Sequence, residues 1–191
     1  MAKTSTFRKG VKEAIEAVKG EGRFLTVKAD EAVTFASLID LDDLLSADMH
    51  QFWDNNPVVI FPCLGGDDCP GCKLGNDPGF KAYLPVVTRE GDVKIFPMGI
   101  SIVRQLDEYQ AEVDTIIGKV IKIRRTGSGL KTRYTVVPLG KDLDVDKYEI
   151  PDVEEALEPT TRKGIVELME KRGLIGDGKT AAEGDDDWEE F

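Results

Sequence analysis

Three cysteines and a single histidine are all that this 191-residue chain has of those types, and the four fall together as His50, Cys63, Cys69 and Cys72. The order is His-x12-Cys-x5-Cys-x2-Cys. Imidazole nitrogen and thiolate sulfur suit tetrahedral zinc. Pro70 and Gly71 between the last two cysteines shape a tight turn, and Gly65 and Gly66 precede it; glycine lets backbone N–H groups approach thiolates. Four protein ligands fill the coordination sphere and leave no position for water or substrate. The expected cofactor is therefore one structural Zn2+, not a catalytic one.

Two other readings of these residues compete. Cys69 and Cys72 have the spacing of a thioredoxin-like redox pair, but such a pair opens a helix. Here Cys72 runs into Lys73-Leu74-Gly75-Asn76-Asp77-Pro78-Gly79, which cannot propagate one. A disulfide with one free thiol fits an oxidising compartment, yet Met1-Ala2-Lys3-Thr4-Ser5 starts no apolar signal segment. His50 stands behind the longest spacer, and Asp67 or Asp68 could replace it only by adding charge beside three thiolates.

A second chemistry lies in the charge pattern. Net charge is −11, which by itself argues against nucleic acid. The excess is local: residues 142–191 hold 17 acids and 6 bases, and the preceding 141 residues hold 19 of each. Inside that neutral body Lys119, Lys122, Arg124, Arg125, Lys131, Arg133 and Lys141 occur with no acid among them. Ordinary surfaces mix signs. Alternate strand residues share a face, so Lys122 and Arg124 fall together, as do Lys131 and Arg133, with Tyr134 adjacent. Upstream, Lys81, Tyr83, Arg89, Lys94, Phe96 and Arg104 interleave bases with rings, and Phe52 and Trp53 follow His50. Cations that track phosphates and rings that stack unpaired bases are what single-strand binding needs. These residues form the expected DNA-binding set, although Phe96 and Tyr83 taken alone read more readily as core.

The elements that must position both groups follow from periodicity. Residues 7–19 read as an amphipathic helix on Phe7, Val11, Ile15 and Val18, ended by Gly20-Glu21-Gly22. Strands are expected at 23–28, 33–39, 58–61, 82–88 and 93–96, with the zinc loop between the third and fourth. Ser101 is the expected cap of a helix striped by Ile102, Leu106, Tyr109, Val113 and Ile116 or Ile117. A hairpin of strands 119–125 and 130–137 turns on Thr126-Gly127-Ser128-Gly129, and a last helix spans 161–172, stopped by Gly173. The fold class is mainly β with added helices, an α+β arrangement built on an OB-fold-like Greek-key barrel with an inserted zinc loop. It divides into an N-terminal amphipathic arm at 1–22, a DNA-binding core at 23–150, a helical segment at 151–176 and a disordered acidic tail at 177–191.

The ligand order, the Cys69-Pro70-Gly71-Cys72 knuckle, Lys81-Ala82-Tyr83 and the stretch from Gly118 to Gly129 together resemble the zinc-containing single-stranded-DNA-binding proteins of T-even-type bacteriophages. That resemblance covers about 23–138. It implies an OB-fold core, zinc held by His50, Cys63, Cys69 and Cys72, and cooperative self-association through an N-terminal arm, here Lys3-Thr4-Ser5-Thr6-Phe7-Arg8-Lys9. It also implies a place in the cytoplasm of an infected bacterial host. The terminus Asp185-Asp186-Asp187-Trp188-Glu189-Glu190-Phe191 is similar to the acidic, Phe-terminated tips by which many single-strand-binding proteins dock on polymerase or helicase. A solubilising tail needs neither Trp188 nor Phe191.

The expected function is a non-enzymatic single-stranded-DNA-binding protein in phage DNA replication, recombination and repair, with little sequence preference; stacking and backbone contacts do not by themselves distinguish DNA from RNA. No catalytic residue is assigned, because the one histidine belongs to the zinc motif and no paired acids accompany the bases. The alternative is a zinc-dependent protein-interaction or transcription module. No apolar run approaches a membrane span, so no membrane partner is expected.

Overall fold

The structure is a computed structural model that describes residues 22–53 and 58–176. The expected helix at 7–19 and the whole acidic tail, including Asp185, Asp186, Asp187, Trp188 and Phe191, lie outside the described residues. The strands are β1 (Ala32–Ser37), β2 (Leu45–Phe52), β3 (Val59–Pro62), β4 (Gly79–Thr88), β5 (Val93–Met98), β6 (Lys119–Thr126) and β7 (Arg133–Asp142). The helices are α1 (Pro70–Lys73), α2 (Ile100–Val113), α3 (Val153–Ala156) and α4 (Arg162–Lys171). None of them is long and apolar enough to cross a membrane. The chain is thus mainly β, with antiparallel strands and a few helices.

The described residues form two compact units, 22–45 with 82–153, and 46–53 and 58–81 with 154–176. The sequence suggests one core over 23–150, whereas the stretch 46–81 has a core of its own. The reason lies in the packing: Val59 and Phe61 of β3 bury against Ile165 and Met169 of α4, with Phe52 and Leu168 at the margin.

In the first unit the antiparallel order is β5-β4-β1-β6-β7. One face carries Phe35, Leu84, Val86, Phe96, Ile121 and Ile123, covered by Ile102 and Leu106 from α2. These residues alternate along their strands and recur at four-residue spacing in the helix, which puts the apolar side chains on facing surfaces. A smaller cluster of Ala36, Leu38, Val87 and Val145 occupies part of the other face. Burying Leu106 completely makes Leu106→Ala a loss of about 2–5 kcal/mol.

The expected barrel is not closed: among the described residues no ladder joins β5 to β7. Other groups occupy both edges. Gln105 Nε2 donates to the Tyr134 carbonyl (3.1 Å), and Gln105 Oε1 accepts from Val136 N–H (3.1 Å), so a helix side chain satisfies β7 where a strand would pair. At β5, Leu25 N–H donates to Ile95 O (2.8 Å) and Ile95 N–H to Arg23 O (2.7 Å). That segment makes only an isolated bridge, Phe24 to Ile95, and not the strand expected at 23–28.

Other boundaries also differ. Gly99, not Ser101, precedes α2, without a side-chain cap. The helix stops at Val113 because Asp114 adopts φ 64; Ile116 is then buried and Ile117 exposed. Asp40 fixes this exit by accepting from Thr115 Oγ1 (2.9 Å) and Ile116 N–H (2.8 Å). β2 is a strand not expected at 45–52, although Leu45, Ala47 and Met49 alternate there with Ser46, Asp48 and His50. Residues 130–132 belong to the hairpin loop rather than to a strand. The last helix forms within its expected span, and Gly173 follows its end at φ 70; Thr161 Oγ1 caps it by accepting from Gly164 N–H (3.3 Å).

Candidate metal centre

The four ligand candidates all belong to the second unit and come from three local structures. β2 carries His50 opposite Phe61 of β3. Cys63 follows β3 directly, two residues beyond Phe61 and so on the same side of the ladder as His50. Its N–H donates to Asp48 O (2.7 Å). Cys69 precedes α1 and Cys72 lies inside it. This single turn begins at Pro70, a residue suited to a first helical position. Asn76 N–H returns to Gly71 O (3.2 Å) and Gly75 N–H to Cys72 O (2.9 Å), closing the knuckle on itself.

The ligand atoms lie within 4.8 Å of one another. Cys63 Sγ is 3.8 Å from Cys69 Sγ and 3.6 Å from Cys72 Sγ. His50 Nε2 is 3.2 Å from Cys69 Sγ and 3.6 Å from Cys72 Sγ. A tetrahedral ion bonded at about 2.3 Å to sulfur and about 2.0 Å to nitrogen gives edges of about 3.8 Å between sulfurs and about 3.5 Å between sulfur and nitrogen. A disulfide would need about 2.05 Å, and all three cysteines are free. The cluster fits a single structural metal site. Asp67 and Asp68 are not part of it; the Asp68 carboxylate instead faces Arg162 at 3.9 Å.

The surroundings orient the ligands. His50 is fully buried. Its Nδ1–H donates to Asn76 Oδ1 (3.1 Å), and Asn76 Nδ2 donates to Gln51 O (3.1 Å). A neutral imidazole protonated at Nδ1 presents the lone pair of Nε2 to the sulfurs, the arrangement a metal-binding histidine requires. Gly71 fits against the ring: a Cβ there would come within 2.5 Å of His50 Cδ2 and Cγ. The sulfurs are electrostatically divided. Burial raises the Cys69 thiol, but backbone hydrogen bonds with Cys72, Leu64 and Gly71, together with the Cys63 side chain, bring it down to about 6. Desolvation, hydrogen bonds with Cys63 and Cys69, and their negative charge push Cys72 up to about 11. Negative charge on neighbouring sulfurs disfavours ionising Cys72, and a divalent cation removes that conflict.

No protein-family description, curated protein or solved structure matches this chain.

Sequence reading located all four ligands and missed Asn76, whose only signal was an Asn in a Gly-Asn-Asp-Pro turn. For the expected DNA-binding set the structure brings together fewer residues. Lys122 lies opposite Val137, Arg124 opposite Thr135, and Thr126 opposite Arg133. Lys122, Arg124 and Arg133 are exposed on the side of the hairpin away from the main core. Arg125 points the other way: its Nη1 donates to Val27 O (3.1 Å) and its guanidinium lies 6.0 Å from the half-buried Tyr134 ring. Phe96 and Tyr83 are 2% and 3% exposed, so neither offers a face to a base. Phe96 packs on Phe35, and burial pushes Tyr83 up to about 12. Lys94 lies opposite Val86, on the core side of β5. Arg89 is exposed in the β4–β5 turn, Arg104 on α2 and Lys131 in the hairpin loop. In the second unit, burial lowers the half-buried Lys81, Phe52 stacks on Phe61 at 5.8 Å, and Trp53 is 68% exposed. The rings thus largely serve the two cores, while three cations of the hairpin share one open face.

Proposed function

We propose that this chain is a non-enzymatic single-stranded-DNA-binding protein carrying one structural zinc. The observation that carries the reading is the outer face of the hairpin. Lys122, Arg124 and Arg133 stand exposed beside Thr34, Thr135 and Val137. The one acid in β1, β6 or β7 is Asp142, which pairs with Lys119 at 3.0 Å at the far end. Such a face attracts a phosphate backbone without reading sequence. The first unit also supports an open relative of the OB-fold: five strands with one helix between the third and fourth, lacking one closing ladder. Action in phage replication, recombination and repair, with polymerase or helicase recruited by the acidic terminus, completes the reading and rests on the family resemblance. Zinc is the proposed metal because a tetrahedral set of three sulfurs and one nitrogen suits it.

A titration of labelled single-stranded oligonucleotide at several salt concentrations tests this. Neutralising about three to five phosphates gives a slope of log K against log salt of roughly −2 to −3.5. Lys122→Ala and Arg124→Ala each shrink that slope. Binding that ignores salt, or that prefers duplex, refutes the proposal. The second reading, a zinc-dependent interaction module, draws on Trp53, Val58 and Ile60, all exposed in the second unit. It predicts no oligonucleotide binding at any salt.

A further inference from the structure

At the tip of the basic hairpin Leu130 is fully exposed. One exposed leucine is ordinary; this one differs in its support and its surroundings. The loop from 127 to 132 is braced at several points. Lys131 N–H donates to Ser128 O (3.1 Å) and Thr132 N–H to Gly129 O (3.2 Å), forming a 3-10 turn at Gly129–Lys131 with Leu130 in its middle. Gly127 N–H donates to Asp30 Oδ1 (3.1 Å). Gly127 has φ 74, and a Cβ there would lie 2.6 Å from Lys131 O. The apolar side chain is therefore presented on a fixed support instead of folding back onto the sheet. Around it, Lys131 and Arg133 are exposed, and Arg124 continues the cationic face along β6.

We propose that Leu130 is an apolar wedge that enters between neighbouring bases of a single strand whose phosphates lie on Lys122, Arg124 and Arg133. This rests on the single-strand reading above and adds to it the group that meets the bases, since the rings expected in that role are largely buried. Apolar side chains from rigid turns unstack adjacent bases, and nearby cations hold the backbone while they do so. An aliphatic wedge has no hydrogen-bonding edge, so it tolerates any base.

The test uses the full chain and a single-stranded oligonucleotide with an internal 2-aminopurine, whose fluorescence rises when it is unstacked. Wild type is expected to raise the signal. Leu130→Ala should bind about tenfold more weakly, the loss expected for the buried methyl groups. It should also lose most of the fluorescence rise and keep the wild-type salt slope. Leu130→Met should restore both properties. Leu130 supports nothing in the fold, so circular dichroism should be unchanged in both variants. If wild type binds with the expected slope but Leu130→Ala matches it in affinity and signal, the wedge is wrong and the single-strand reading stands. If wild type binds no oligonucleotide, both fail. Leu130-dependent binding to phosphatidylserine vesicles, with oligonucleotide binding unaffected, would reassign the tip to a lipid surface and overturn the wedge.

Discussion

The metal centre depends on residues that are not ligands. Gly71 leaves no room for a side chain against the His50 ring. Gly71→Ala should therefore displace the imidazole, cost about 1–3 kcal/mol through overpacking, and lower the metal content of purified protein as read by elemental analysis. Asn76→Ala removes the acceptor that fixes the His50 tautomer. It is expected to weaken metal binding by about 10–100-fold, measured by chelator competition. The same competition run at falling pH should show affinity dropping for the wild type, because protons compete for the sulfurs. Chelator-free protein without metal, together with a Cys69–Cys72 disulfide, would overturn the metal assignment. The ligands were legible because cysteine and histidine are rare here and their spacing is compact. Asn76 was not, because its role depends on Gln51 and His50, which reach it only through the fold of β2 and the knuckle.

At the scale of elements, the hairpin and α4 had signals strong enough to read. Gly173 marked the end of α4, and the Gly-rich turn at 126–129 marked the hairpin of β6 and β7. The hairpin loop was misplaced by three residues because Gly127 and Gly129 both take positive φ and extend the turn. Gly127→Ala should test that geometry, since the new Cβ meets the Lys131 carbonyl and the φ of 74 disfavours any side chain. The expected outcome is a loss of about 1–3 kcal/mol in denaturant unfolding. Faster amide exchange should be confined to 126–133, with the core of β1, β4 and β5 still protected. Uniform loss of protection would mean that the hairpin is integral to the core. β2 carries a legible alternation of Leu45, Ala47 and Met49 with Ser46, Asp48 and His50, broken only at Gln51; the end of α2 was not legible, because Asp114 takes a positive φ where the distant Asp40 holds Thr115 and Ile116.

For the molecule as a whole, charge was settled by composition and its display by folding. Residues 177–191 carry seven acids and one base, separate in sequence from the basic hairpin. Deleting them should raise affinity for single-stranded DNA, most clearly at low salt where screening is weakest; equal affinities for the full and truncated chains at low salt would make the tail inert toward DNA. The sequence by itself determined which atoms can bind a metal, that strands predominate, and that one segment is basic without acids. Those properties reside in residue types and near-neighbour spacing. Tertiary structure decided what depends on distant partners. It put Phe96 and Tyr83 in the interior, turned Arg125 onto Tyr134, and gave 46–81 a core with α4. Gln105, not a strand, came to occupy the edge of β7. Each of these follows from competition for burial and for backbone hydrogen bonds among residues far apart in the chain, a competition that local pattern does not encode.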